Sequence, residues 1–503
     1  MRAASITSIT MKGSTLDRLE FRMLISHGAA MSFERVFSLA SIPCARLFRL
    51  LAAAVGRGCG RGPVLAACLA AVLAFAPIAA QAQSIRLLRD ADIEHGLTEL
   101  ARPILTAAGL SPRRVRILVV NDSSFNAFVI DHRAIFINYG LILKAESPEM
   151  LQALIAHEAA HIANGHIGRR VQNMRSASTA AGLGVALGLL ASAAGGGKAG
   201  AGVAFGVQSS ALRNFLSHTR AEEASADRSA IGFMTAAGVN PKGMVELHRI
   251  FAGQEVLSTG SQDPYMRSHP LTRDRMRAAE AYVASAGAAA ASDPAAAYWL
   301  ARVQGKLSAF TRAPSWTKRR VASEGYADVK RMRLAVAHHR QNSFSRAQKE
   351  MQALLATRPK DAYYHELWGQ ILYENRRWGA AVSAFGTAAS LSPNEPLILA
   401  SLGRAQLAAG NPRAALKTME KARGLDFRNA TLLRDMSLAY AQTNQTGMAA
   451  LVTAERYALQ GRLKDAGPHA KRATGLLAKG SPAWRRAQDV LIAFEQDEKR
   501  NQK

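Results

Sequence analysis

The sequence predicts a mainly α-helical protein, with one small β-sheet in its first half and an α-solenoid in its second. Three observations carry that prediction. Hydrophobic residues make up 49% of the chain but aromatics only 6%, and alanine is abundant, a mix that suits close-packed helices better than stacked sheets. The pentad His157-Glu158-Ala159-Ala160-His161 sets two histidines four residues apart, on one face of a helix. Ala347, Ala381, Ala415 and Ala449 recur every 34 residues without drift. A chain of 503 residues is also too long for one ordinary core, so two or more domains are expected.

Residues 1–82 read as a leader. An apolar run of signal-peptide length spans Val64 to Ala76, with Arg57 and Arg61 ahead of it and Pro77 behind. Ala80-Gln81-Ala82 supplies a small-x-small cleavage pattern, which makes Gln83 the predicted mature start. The stretch ahead of the run is long for an n-region, so Met31 or a later residue is an alternative beginning. All three cysteines, Cys44, Cys59 and Cys68, fall within this leader. A mature chain without cysteine has neither disulfide nor thiolate zinc site, so any metal must be held by histidine and carboxylate.

The net charge is +27, of which residues 1–82 contribute +6 (nine Lys/Arg, three Asp/Glu) and the rest +21. Such a balance favours anionic surfaces. The cations are scattered, without interleaved aromatics, so nucleic acid is excluded as a partner class. Solvated helix faces account for most of the charge.

Within the expected catalytic domain, 83–290, Ile85 to Gly109 carries apolar residues at helical spacing (Ile93, Leu97, Leu100, Ile104). Short strands follow at Arg116 to Val120, Asn126 to Ile130 and Ala134 to Asn138. An unpaired edge of this sheet either takes an extended peptide or is purely structural. Ser147-Pro148-Glu149 opens the histidine helix with a capping hydroxyl, proline at the first helical position and a carboxylate at the positive end of the dipole. Met150, Leu151, Leu154, Ile155 and Ile162 form its expected buried side, and Arg169 and Arg170 suit its negative end.

Residues 177–207 are rich in alanine, glycine and leucine, and Ala177 to Ala194 is 18 residues without a charge. A close-packed helical hairpin is the expectation, with membrane insertion or contact with a bilayer surface as alternatives. The next helix, His218 to Gly238, carries Glu223 and Asp227 four apart. Two helical histidines need a third protein ligand and one open position. Glu223 fills that role, and Asp227 one turn on can orient a ligand histidine. Glu222 competes with Glu223, but no acid stands four residues beyond it.

These motifs taken together, His157-Glu158-x-x-His161, Glu223-x-x-Ala226-Asp227, and Ser268-His269-Pro270 with Arg275, resemble the zinc peptidase family of the CAAX prenyl proteases and the heat-shock protease HtpX. With a leader and helical repeats, the chain is most similar to that family's periplasmic branch. Asn126-Ala127-Phe128 also resembles its edge-strand motif. The resemblance implies a gluzincin-type metalloprotease fold holding one Zn2+ on His157, His161 and Glu223, with Glu158 removing a proton from the zinc-bound water. In that branch a histidine on a downstream loop can take the open zinc position and hold the enzyme latent. His269, in the loop Gly260 to Leu271, matches it, with a structural His-Pro turn as the alternative. Arg275 resembles the family's arginine, a partner for an oxyanion or a structural ion pair.

A linker helix is expected over 291–320. Over 321–480, Gly369 and Gly403, Pro359 and Pro393, and Phe385 and Met419 keep the 34-residue register of the alanines, which is the tetratricopeptide signature. Leu459 to Leu477 reads as a capping helix. The polar C-terminal helix or tail, 481–503, is expected to fray from Glu495. Such units bury their apolar faces only by stacking, which leaves a concave surface for a partner.

The function these features predict is an exported zinc endopeptidase of the periplasm, with repeats that dock substrates or a membrane assembly machine. The resemblance makes those substrates misassembled outer-membrane β-barrel proteins. The alternatives are a latent-protease chaperone acting through its repeats, and an integral-membrane metalloprotease reached through 177–207.

Overall fold

The computed structural model describes residues 85–170, 219–258, 261–286, 291 and 293–502. The expected leader with its cysteines, the stretch 177–207 with its expected hairpin or membrane contact, His218 and Gly260 lie outside the described residues.

The helix expected from Ile85 is shorter at its front. β1 (Leu87–Leu88) precedes α1 (Ala91–Ala107), because the Asp90 side chain accepts from the amides of Asp92 and Ile93 and fixes the helix start there. β2 (Arg116–Val120) follows as expected, then β3 (Ala127–Asp131), one residue later than read from the sequence, and β4 (Ala134–Asn138). The sheet order is β1-β2-β4-β3. β2 and β4 run parallel, Arg116 opposite Ala134 through Val120 opposite Asn138, while β3 hairpins back antiparallel onto β4. That order leaves β3 at an edge, packed beside the histidine helix. Ile117, Val119, Val129, Ile135 and Ile137 bury one core against Leu97, Leu100 and Ile104 of α1.

After α2 (Tyr139–Lys144) comes the histidine helix α3 (Pro148–Ala163). The Ser147 hydroxyl accepts from the Met150 amide, as the sequence predicts. One buried side was expected, but α3 is buried on all sides from Glu149 to His161, because α1, α4, α5 and the sheet surround it. It ends at Asn164, where Arg169 donates to the Asn164 carbonyl at 2.9 Å. Then come α4 (Arg220–Ala236), α5 (Lys242–Phe251), α6 (Pro264–Ser268) and α7 (Arg273–Ser285). A Cβ on Gly243 would fall 2.2 Å from the Glu149 carbonyl oxygen, so only glycine lets α5 reach the first turn of α3.

α8 (Pro294–Thr311), with the short α9 (Pro314–Arg320), occupies the stretch expected to be a linker. α8 packs against both α1 and the first repeat helix. Its buried Arg302 pairs with Asp92 at 2.7 Å and with Asp361 of the repeats at 2.6 Å. The fully buried Lys306 ammonium lies 2.9 Å from Asp90 and 3.7 Å from Glu366. Asp426, further along the repeats, holds Arg89 at 2.7 Å and Arg116 at 2.9 Å. These pairs join the two halves within one compact unit, Ala82–Lys503.

The repeats are helix pairs: α10 (Ala327–His339) with α11 (Phe344–Thr357), α12 (Ala362–Glu374) with α13 (Trp378–Leu391), α14 (Pro396–Ala408) with α15 (Pro412–Leu425), and α16 (Ala430–Gln442) with α17 (Thr446–Leu459). The second helices start at Phe344, Trp378, Pro412 and Thr446, which keeps the 34-residue period. A Cβ on Gly369 would fall 2.7 Å from the Phe385 ring, and one on Gly403 2.5 Å from Met419, so the glycines mark where paired helices cross. α18 (Leu463–Leu476) and α19 (Pro482–Asn501) close the stack. The tail expected to fray from Glu495 continues α19 to Asn501, a helix capped by Ser481 and anchored through buried Ala487 and Val490. Among the described residues no helix is long and apolar enough to cross a membrane.

Candidate metal centre

Three elements converge on one buried point. α3 brings His157, Glu158 and His161, α4 brings Glu223 and Asp227, and the end of α6 brings His269. One ligand atom each from His157, His161, Glu223 and His269 lies within 4.8 Å of the others, a group able to hold a metal ion. The Nε2 atoms of His157 and His161 are 3.1 Å apart, and each is 3.4 Å from a Glu223 carboxylate oxygen. His269 Nδ1 is 2.9 Å from Glu223 and 3.4 Å from His157 Nε2. Its other ring nitrogen faces Glu158 at 3.6 Å.

Glu222 and Glu223 separate cleanly. Glu222 forms a capping box with Thr219 and pairs with Arg170 at 3.2 Å, while Glu223 is fully buried at the centre. Asp227 accepts from His157 Nδ1 at 2.9 Å, which leaves Nε2 turned towards Glu223. Arg275 grips both Asp227 oxygens at 2.8 Å, reaches Glu223 at 2.9 Å and donates to the Pro270 carbonyl at 2.8 Å. Arg275 is thus an ion-pair partner of Asp227 and Glu223.

Burial opposes a charge on His157, but Glu223 and Asp227 outweigh it and hold the imidazole up at about 10. Burial leaves His161 well below its usual value. Burial would raise Glu223, yet the imidazoles of His269 and His157 hold it well below the carboxylate range. Asp227 is likewise held down against burial by Arg275 and His157. Glu158 goes the other way, raised by burial.

The residues fit a metal. Three imidazoles and a carboxylate are the donor types that suit zinc and similar divalent ions. Both Glu158 oxygens are buried without a hydrogen-bond partner, which buried carboxylates avoid unless something else satisfies them.

Three side chains beside the site were not singled out in the sequence. His166 Nδ1 lies 2.8 Å from His161 Nδ1, Tyr265 stacks on His269 at 4.6 Å, and His248 Nε2 is 3.7 Å from Asp227. His166 carried a signal, a third histidine five residues past the pentad. Tyr265 and His248 carried none, because they reach the site only through the packing of α5 and α6 against α3 and α4.

This arrangement is that of a metallopeptidase: residues 87–283 match peptidase family M48, a match that implies a metal cofactor. Among characterised proteins it is similar to the β-barrel assembly-enhancing protease of Escherichia coli (strain K12), 23% identical over 395 residues, 76% of this chain and 79% of that one. A putative β-barrel assembly-enhancing protease of Vibrio cholerae serotype O1 is 27% identical over 192 residues, 38% of this chain and 39% of that one. A solved MamA structure is 16% identical, covering 34% of this chain and 98% of the other at a TM-score of 0.26.

Proposed function

We propose that the chain is a zinc endopeptidase of the periplasm, exported by the leader 1–82, and that it acts in quality control of outer-membrane β-barrel proteins. In this reading His157, His161 and Glu223 are the metal ligands in a protease domain 83–290. Residues 291–320 join it to the repeats 321–480, and 481–503 close the chain. The observation that carries the reading is the convergence of His157, His161, Glu223 and His269 within 4.8 Å, inside a family M48 domain. The substrate class follows from the similarity to β-barrel assembly-enhancing proteases.

A divalent ion at this site, when bound, acts as a Lewis acid towards the scissile carbonyl. Glu158 takes the proton from the attacking water. Burial raises its pKa, which brings a carboxylate closer to the strength a general base needs near neutral pH. It makes no hydrogen bond to the protein that would compete for the proton. Asp227 orients His157, and Arg275 neutralises Asp227 and Glu223. An extended substrate adds to the outer side of β3, the edge strand of the sheet among the described residues, which lies beside α3. His269, grouped with the other three donors, would serve as a fourth ligand that holds the site latent, so activity would require α6 to move. The repeats dock substrates and a membrane assembly machine.

The test is degradation of casein and of an unfolded barrel protein. Glu158→Gln is expected to abolish cleavage while keeping metal, and His269→Ala to accelerate it. Unchanged cleavage by Glu158→Gln overturns the peptidase reading, and no acceleration by His269→Ala removes the latch. His269 at the centre of the donor group also favours a second reading, a chaperone acting mainly through its repeats. Full rescue of barrel assembly by Glu158→Gln in a deletion strain would make that role primary.

A further inference from the structure

A third histidine, His166, is buried beside the metal centre with its ring against that of His161. Its place depends on a break in the helix. In an unbroken α-helix a residue five positions after His161 would sit about 140° round the axis from it, on another face. α3 stops at Asn164 instead, and Gly165 takes a φ of 70°, a left-handed conformation that glycine adopts at no steric cost. The turn is pinned to α4, where Asn164 Nδ2 donates to the hydroxyls of Ser225 and Ser229 at 3.3 and 3.1 Å. His166 is thereby folded back until its Nδ1 lies 2.8 Å from His161 Nδ1, with the ring planes 65° apart.

Two ring nitrogens at 2.8 Å share one proton, so one donates and the other accepts. The ligand geometry decides which. The Nε2 atoms of His157 and His161 are 3.1 Å apart, and each is 3.4 Å from Glu223, so both lone pairs are aimed at the same point. A neutral imidazole that binds a metal through Nε2 carries its proton on Nδ1. For His157 that proton goes to Asp227 at 2.9 Å. For His161 it goes to His166, whose Nδ1 then accepts and whose own proton sits on Nε2. His166 is not one of the four residues whose donor atoms converge within 4.8 Å, and its Nδ1 is spent on the His161 ring.

We propose that His166 is a positioning residue of the metal centre: as the Nε2–H tautomer it accepts the His161 Nδ1 proton and so holds the His161 Nε2 lone pair on the ion. The two ligand histidines are steadied differently, His157 by a carboxylate and His161 by a second imidazole. The inference rests on the reading of His157, His161 and Glu223 as metal ligands and adds the residue that orients the second of them.

Zinc affinity of the full chain is measured by chelator competition for the parent, His166→Leu and His166→Asn. Leucine fills the space without an acceptor, whereas asparagine sets an amide oxygen near the position of Nδ1. His166→Leu should bind zinc about tenfold or more weakly, and His166→Asn should stay within about threefold of the parent. A role in packing alone would not distinguish them by acceptor. In the zinc-loaded parent labelled with 15N-histidine, NMR should show His166 as the Nε2–H tautomer, its signals assigned by their loss in His166→Asn. The inference is overturned if His166 carries its proton on Nδ1 there, if His166→Leu holds zinc as tightly as the parent, or if both variants lose it equally. Should leucine unsettle the fold, the tautomer still decides. A parent that takes up no zinc defeats the peptidase reading and this inference with it, whereas equal uptake by parent and His166→Leu defeats this inference alone.

Discussion

Glu395 gives a pH-dependent test of the joint between peptidase and repeats. It opens α14, accepting from the Leu397 amide at 3.2 Å, in the neighbourhood of Glu94. Burial raises its pKa from 4.5 to about 7, with Glu94 adding to the effect and Arg116 and Arg89 opposing it. An acid whose folded pKa lies above its unfolded value is easier to ionise in the unfolded chain. Its destabilising effect is therefore absent below pH 4.5, grows as pH rises, and is complete above about pH 7. A difference of that size corresponds to at most about 3 kcal/mol, and partial solvent access lowers the expectation to about 2 kcal/mol. Glu395→Gln keeps an oxygen for the Leu397 amide and removes the charge. At pH 8 the variant should be more stable than the parent by about 2 kcal/mol, and at pH 4.5 the two should differ little. For the roughly 360 described residues the entropy of unfolding makes this about 3 °C in Tm. Paired thermal melts at pH 4.5, 6 and 8 read the difference. A variant equally stabilised at every pH, or destabilised at pH 8, would refute the electrostatic reasoning.

Other expectations are shorter to state. Gly403→Val should destabilise the repeats by about 1–3 kcal/mol in a denaturant melt, because its Cβ meets Met419 at 2.5 Å, and Met419→Ala in the same chain should recover part of the loss. Asp227→Asn should weaken metal affinity about 10–100-fold in a chelator competition, since it loosens His157 and leaves Arg275 underpaired. Asp426→Asn should cost about 1–3 kcal/mol, because Arg89 and Arg116 are then left to share Glu94 alone. Parent and variant should converge in acid, because Asp426 is held below its usual value and its contribution fades as pH falls through and below about 4.

The donor group was legible because helix periodicity turns spacing into geometry. His157 and His161 had to share a face, and Glu223 could be preferred over Glu222 by its Asp227 partner one turn on. Thr219 explains the rest, since its capping box uses Glu222 and points that carboxylate away. The 34-residue register was legible for the same reason, with Gly369 and Gly403 facing Phe385 and Met419 across each pair. Long-range pairing was not legible. Nothing local to Arg302 or Lys306 says that they meet Asp92, Asp361 and Glu366, so the linker helix read over 291–320 carried no sign that α8 packs against both halves. β1 was missed because two residues carry no periodicity, and only its pairing with β2 makes it a strand. His248 and Tyr265 were missed because their role comes from which helices pack together.

The most direct measurement is the metal content of the purified full-length chain and of Glu223→Ala, by elemental analysis after dialysis against a weak chelator. About one zinc per chain in the parent and a small fraction of that in the variant is the expected result for a ligand set of two helical imidazoles and one carboxylate. Zinc absent from the parent, or retained in full by Glu223→Ala, would contradict it.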